Sequence, residues 1–97
     1  MYYKALVTFL TAEEGGRRSP PLIGYKPHLK IGNEYTSCKI IYSNEGDTFK
    51  LGSENIVQVE LQFEEFYPDK DFLNNAIELY EGERLVGIGR FLQSEEG

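Results

Sequence analysis

The chain has 97 residues, 40% of them hydrophobic and 13% aromatic. That is room for one domain with one modest core, and it is too apolar for a disordered tail. The net charge of −6, from 10 basic and 16 acidic side chains, argues against non-specific nucleic-acid binding. No stretch approaches the roughly 20 apolar residues that span a bilayer, and the opening Met1-Tyr2-Tyr3-Lys4 has none of the organisation of an export signal. A soluble, cytoplasmic protein is the expectation. Cys38 is the single cysteine, so no internal disulfide can staple the fold.

Residues 2–10 mix Tyr, Val, Thr, Phe and Leu and read as a first strand. Gly15-Gly16 and Pro20-Pro21 punctuate a long loop. Residues 23–31 could form a second strand, with Pro27 at an edge, a bulge or the strand start, because proline cannot donate a ladder hydrogen bond. Residues 35–42 read as a third strand. Ser43-Asn44-Glu45-Gly46-Asp47 reads as a turn, and residues 48–51 as a short strand ending at Gly52. Residues 55–66 are the clearest element. There Val57, Val59, Leu61 and Phe63 alternate with Gln58, Glu60, Gln62 and Glu64, which is one apolar and one wet face.

Tyr67-Pro68-Asp69 opens a polar loop. Residues 76–80 and 84–92 then flank Glu81-Gly82-Glu83, which reads as a hairpin turn. Gly87 and Gly89 inside the last strand suggest a bend or a close backbone approach, as at a barrel corner. Residues 1–93 form a single domain in this reading, and 94–97 a frayed tail. No segment shows a helix cap followed by an apolar stripe. Short strands separated by turn signals imply a sandwich or a closed barrel.

Catalytic equipment is sparse. His28 and Cys38 could pair as base and nucleophile only if the fold joined them. No cluster has zinc-ligand spacing, and no Gly-rich loop ends in Gly-Lys-Ser/Thr to cradle a nucleotide. No cofactor, metal or nucleotide is expected, and no enzymatic activity. The charge distribution is more informative. Residues 15–33 contain no acid and carry Arg17, Arg18, Lys26, His28 and Lys30. A basic segment on an acidic body suits a phosphate backbone or an acidic protein. Arg17 is its natural anchor, since a guanidinium grips such groups with two bonds.

Three motifs share one order and spacing. They are Glu14-Gly15-Gly16-Arg17-Arg18-Ser19-Pro20 followed by Gly24-Tyr25-Lys26-Pro27-His28, then Leu51-Gly52-Ser53-Glu54-Asn55, then Tyr80-Glu81-Gly82-Glu83-Arg84-Leu85-Val86-Gly87-Ile88-Gly89. Together they resemble the third, C-terminal domain of bacterial elongation factor Tu, over about residues 3–92. The resemblance implies an all-β fold, a six-stranded closed antiparallel β-barrel. In the full factor this domain packs on the nucleotide-binding domain, touches the T stem of aminoacyl-tRNA and joins contacts with the exchange factor.

Carried over residue by residue, the resemblance points to Arg17, Arg18, His28, Ser37 and Gly82 as the partner- or RNA-binding set. Arg17 keeps the family's Arg, Arg18 replaces a His, His28 a Gln and Ser37 a Thr, and Gly82 matches a Gly. Glu78 stands where the family has Ala at a domain interface, and Pro21 and Leu22 replace two aromatics. Without the first two domains the chain resembles a free-standing barrel that cannot run a GTP cycle. The expectation is a monomeric, non-catalytic binding module that engages a protein of the elongation machinery as mimic or modulator. Two alternatives stay open, a weak tRNA or RNA binder through the basic loop 15–33, and a scaffold or immunity-like partner of a neighbouring gene product.

Overall fold

The computed structural model describes residues 2–22, 24–31, 33–42, 49–62 and 70–92. Among these, six strands form the architecture: β1 (Tyr2–Phe9), β2 (His28–Ile31), β3 (Glu34–Tyr42), β4 (Glu54–Leu61), β5 (Ala76–Glu81) and β6 (Arg84–Phe91). They close into an antiparallel barrel in the order β1-β4-β3-β2-β5-β6, with β6 returning to β1. The six-stranded closed barrel expected from the sequence is therefore the observed fold. No helix among the described residues is long and apolar enough to cross a membrane.

Period-two patterning decides which side of the wall each residue occupies. Along β1, Tyr3, Ala5, Val7 and Phe9 point inward, and along β4 Asn55, Val57, Val59 and Leu61 do. The register Ala5↔Val57 and Tyr3↔Val59 places both inward rows side by side. The interior is filled by side chains from every strand, with Leu29, Cys38, Ile40, Ile77, Leu79 and Val86 among them. Aromatic rings plug each end. Tyr3, Phe72 and Phe91 meet edge to face at one, with centroids 5.3–6.3 Å apart. Phe9 meets Phe49 at 5.4 Å and Tyr25 at 6.1 Å at the other. Six residues of strand, about 20 Å, separate Tyr3 from Phe9.

Two expected strands come out differently. The second starts at His28, although Tyr25 already bridges Ile40 in the same register. Pro27, at the strand's threshold, accepts from Cys38 N–H but has none to return, and the ladder breaks there. Residues 49–51 are no strand at all and contribute a single bridge, Leu51 to Phe9. The buried Asn55 amide takes the place of a neighbouring strand. Its Oδ1 accepts from Lys50 N–H at 2.9 Å, and its Nδ2 donates to the carbonyls of Lys50, Ser53 and Val7 at 2.9–3.2 Å. Residues 63–66 of the expected fourth strand lie outside the described residues. So do the 43–47 turn, residue 48, the loop at 67–69 and the 94–97 tail.

The expected close approach at Gly89 is present. A Cβ there would lie 2.0 Å from the Leu6 carbonyl oxygen, so only glycine lets β6 meet β1. Upstream the β5–β6 register shifts: Leu79 faces Gly87 but Tyr80 faces Leu85, leaving Val86 as the extra residue of a bulge. Val86 and Gly87 are consecutively buried, and the hairpin beyond them is re-aimed.

Gly89→Ala is expected to destabilise by about 3 kcal/mol, because the obstacle is backbone and cannot rotate away. Asn55→Ala is expected to cost about 2–3 kcal/mol, by stranding buried backbone groups. Urea unfolding followed by circular dichroism measures both.

Candidate functional site

The candidate site lies at the Phe9 end, on the outer wall formed by β5, β2 and β3. Inward Leu29, Thr36, Cys38 and Leu79 leave His28, Lys30, Tyr35, Ser37, Glu78 and Tyr80 facing outward. Register collects them. His28 lies opposite Ser37 on one side and Tyr80 on the other, and Lys30 lies between Tyr35 and Glu78. The Tyr35 and Tyr80 rings stand 5.4 Å apart at 78°. Beyond them Glu81-Gly82-Glu83-Arg84 closes the hairpin, with Gly82 at φ 62° in the first central position, as a type II′ turn requires.

Together His28, Tyr35, Tyr80, Gly82 and Glu83 line an open groove of about 530 Å³. Tyr35 is 56% exposed in a barrel that buries Tyr3, Phe9, Phe49, Phe72 and Phe91, which makes this groove a candidate contact surface. Tyr80 donates its hydroxyl proton to Glu78 Oε1 at 2.8 Å, and that bond raises the Tyr80 pKa. Lys30 Nζ lies 4.0 Å from Glu78 Oε1 and 6.0 Å from the Tyr35 ring centroid.

The five residues singled out from the sequence separate into three settings. His28 and Gly82 share the groove, and Ser37 sits beside His28 on the same face. Arg17 is turned toward its own barrel. Its guanidinium pairs with Glu81, donates to the Ser19 carbonyl at 3.0 Å and lies 4.9 Å from the Tyr25 ring centroid. Tyr25 donates its hydroxyl proton to the same Glu81 oxygen. Arg17 therefore stitches the 10–27 loop to the end of β5, and an outside phosphate would have to compete with Glu81 for it. Arg18 is exposed and shares a depression of about 300 Å³ with Arg84, Ala12, Gly15 and Gly16.

That loop is built to a fixed shape. Thr11 caps a 3-10 turn (Ala12–Glu14) reciprocally with Glu14, and a Cβ on Gly16 would fall 2.3 Å from the Leu10 carbonyl oxygen. His28 and Cys38 lie on opposite faces of the wall, so the fold does not join them. Burial pushes the Cys38 thiol up to about 12, which leaves it without the thiolate that a nucleophile needs. Among the described residues no three His, Cys, Asp or Glu side chains converge on a metal position.

Tyr35, Tyr80 and Glu83 were not singled out from the sequence. Their signal was available: Tyr80 follows an inward Leu79, and Tyr35 precedes an inward Thr36, so both rings had to face water.

Burial works to raise the Glu81 pKa, but hydrogen bonds from Tyr25 and Arg17 outweigh it and hold the carboxyl below its usual range. A lowered folded-state pKa stabilises above the unfolded value and is lost as pH falls through the folded one. Glu81→Gln is therefore expected to cost roughly 1 kcal/mol at neutral pH. The gap from wild type should close as the pH drops below about 4. Urea midpoints from neutral pH into acid test this. No protein-family model matches the chain, so its functional reading rests on these side chains and on the barrel that presents them.

Proposed function

We propose that this barrel is a non-catalytic binding module whose working surface is the groove between Tyr35, Tyr80 and the β5–β6 turn. The observation that carries the reading is the tyrosine pair, Tyr35 exposed and Tyr80 half-buried, set at 78° with His28, Gly82 and Glu83 around them. Aromatic side chains with polar neighbours are the usual anchors of protein interfaces, because a ring brings large contact area at little entropic cost. The motif resemblance to the third domain of elongation factor Tu supports a partner within the translation elongation machinery, reached in the cytoplasm. In this reading the protein mimics or modulates that domain.

A second reading is tRNA or RNA binding, and the observation that favours it is the exposed Arg18 beside Arg84. Two arginines can hold phosphates, but the −6 total opposes the approach of a polyanion.

Purified elongation factor Tu, its exchange factor and tRNA, each titrated onto the labelled protein at low and high salt, separate the readings. The expected outcome is binding of one of the two proteins, surviving high salt and kept by Arg18→Ala/Arg84→Ala. Tyr35→Ser/Tyr80→Ser should weaken it by roughly tenfold or more. Binding of tRNA alone, lost with salt and with the two arginines, would overturn the protein-partner reading, and so would binding of neither protein.

A further inference from the structure

We infer that the Tyr35–Tyr80 groove receives an arginine side chain of a basic partner segment. This rests on the reading of the groove as the binding surface and adds the chemistry of what enters it.

The two rings meet at 78° and form a corner, one face as wall and one as floor. Electron-rich ring faces attract cations, and a planar guanidinium, more weakly hydrated than an ammonium, stacks on them best. Glu83 brings a carboxylate into the groove lining, and Glu78, beside Tyr80, is shared between the Tyr80 hydroxyl and Lys30. The Tyr80 hydroxyl proton is committed to Glu78, so toward a ligand its oxygen offers lone pairs.

The barrel already shows this chemistry twice within itself. Arg17 lies over Tyr25 against Glu81, and Lys30 lies near Tyr35 against Glu78. Each is a cation held between a tyrosine ring and a carboxylate. The groove brings the two rings and Glu83 together along one open lining. Among its described lining residues His28 is the one basic group and Glu83 the one acid, while Glu78 beside the groove is paired with Lys30, so an incoming phosphate would meet the Glu83 carboxylate directly. The overall charge of −6 adds long-range attraction for a basic segment.

The test is a titration of the isotopically labelled full chain with an oligo-arginine peptide and its oligo-citrulline counterpart, which keeps the planar shape and removes the charge. The arginine peptide is expected to shift the backbone amides of Tyr35, Tyr80, Gly82 and Glu83, and the citrulline peptide to leave them in place. Tyr80→Ala and Glu83→Gln should each weaken binding about two- to fivefold. Glu13→Gln, which removes an equal charge from the exposed loop, should not. A dispersed spectrum in each variant shows that the barrel is folded.

Equal binding of the two peptides, or shifts gathered around Glu13 or Glu54, would overturn the inference. If the arginine peptide misses the groove while an elongation protein still binds through Tyr35 and Tyr80, the cation chemistry falls and the groove reading stands. If the peptide seats there and neither elongation protein binds, the arginine site stands and the partner class falls.

Discussion

Everything at the candidate site depends on the seam where β6 meets β1. A barrel of short strands is stable only when its last strand pairs with its first, since an open sheet would leave two unpaired edges. Here closure runs through Gly89, where the Leu6 carbonyl occupies the space a side chain would need. Closure fixes the direction of β6, and the bulge at Val86 then turns the β5–β6 hairpin so that Tyr80 and Gly82 stand beside β2 and β3. The groove is thus a consequence of how the wall closes.

The second constraint is the internal use of charge. Arg17 and Tyr25 both bind Glu81, which joins the 10–27 loop to the end of β5. That link lies at the barrel mouth, partly shielded from water, where a charge-assisted hydrogen bond is worth more than on the open surface. It removes the most prominent arginine of the basic segment from the pool available to a partner. Two of the surfaces left among the described residues differ in character, a tyrosine groove bordered by Glu83 and a shallow depression with Arg18 and Arg84. The basic segment seen along the chain is not a basic patch in space, because Arg17 and Lys30 each face a carboxylate from β5.

Asn55 shows how a local motif can carry a tertiary task. In the sequence it is the last residue of Leu51-Gly52-Ser53-Glu54-Asn55, one of three stretches with a family-like order. In the fold its amide replaces a missing strand partner for residues 50–53 and also reaches the Val7 carbonyl on β1. A buried amide with every bond made is stable and specific, whereas one left unpaired is costly.

The strands themselves were legible in the sequence because period two is a local property. Val57, Val59 and Leu61 alternate with polar residues whatever surrounds them, and the glycines of β6 announce close packing. Residues 49–51 of the short strand expected at 48–51 form none, because a run of suitable residues does not guarantee a neighbour with free hydrogen-bonding groups, and Asn55 supplied those groups instead. The candidate site was only half legible. His28, Ser37 and Gly82 could be singled out along the chain, but their meeting with Tyr35, Tyr80 and Glu83 depends on the register of β2 with β3 and with β5, and β5 lies far along the chain from the other two. Arg17 was legible as a strong donor, but Glu81 lies 64 positions away. The sequence by itself determined the alternation along β1 and β4 and the turn at 81–84. Closure of the barrel alone decided which outward side chains became neighbours and which charges were already spent, because those are distances between strands and not along one.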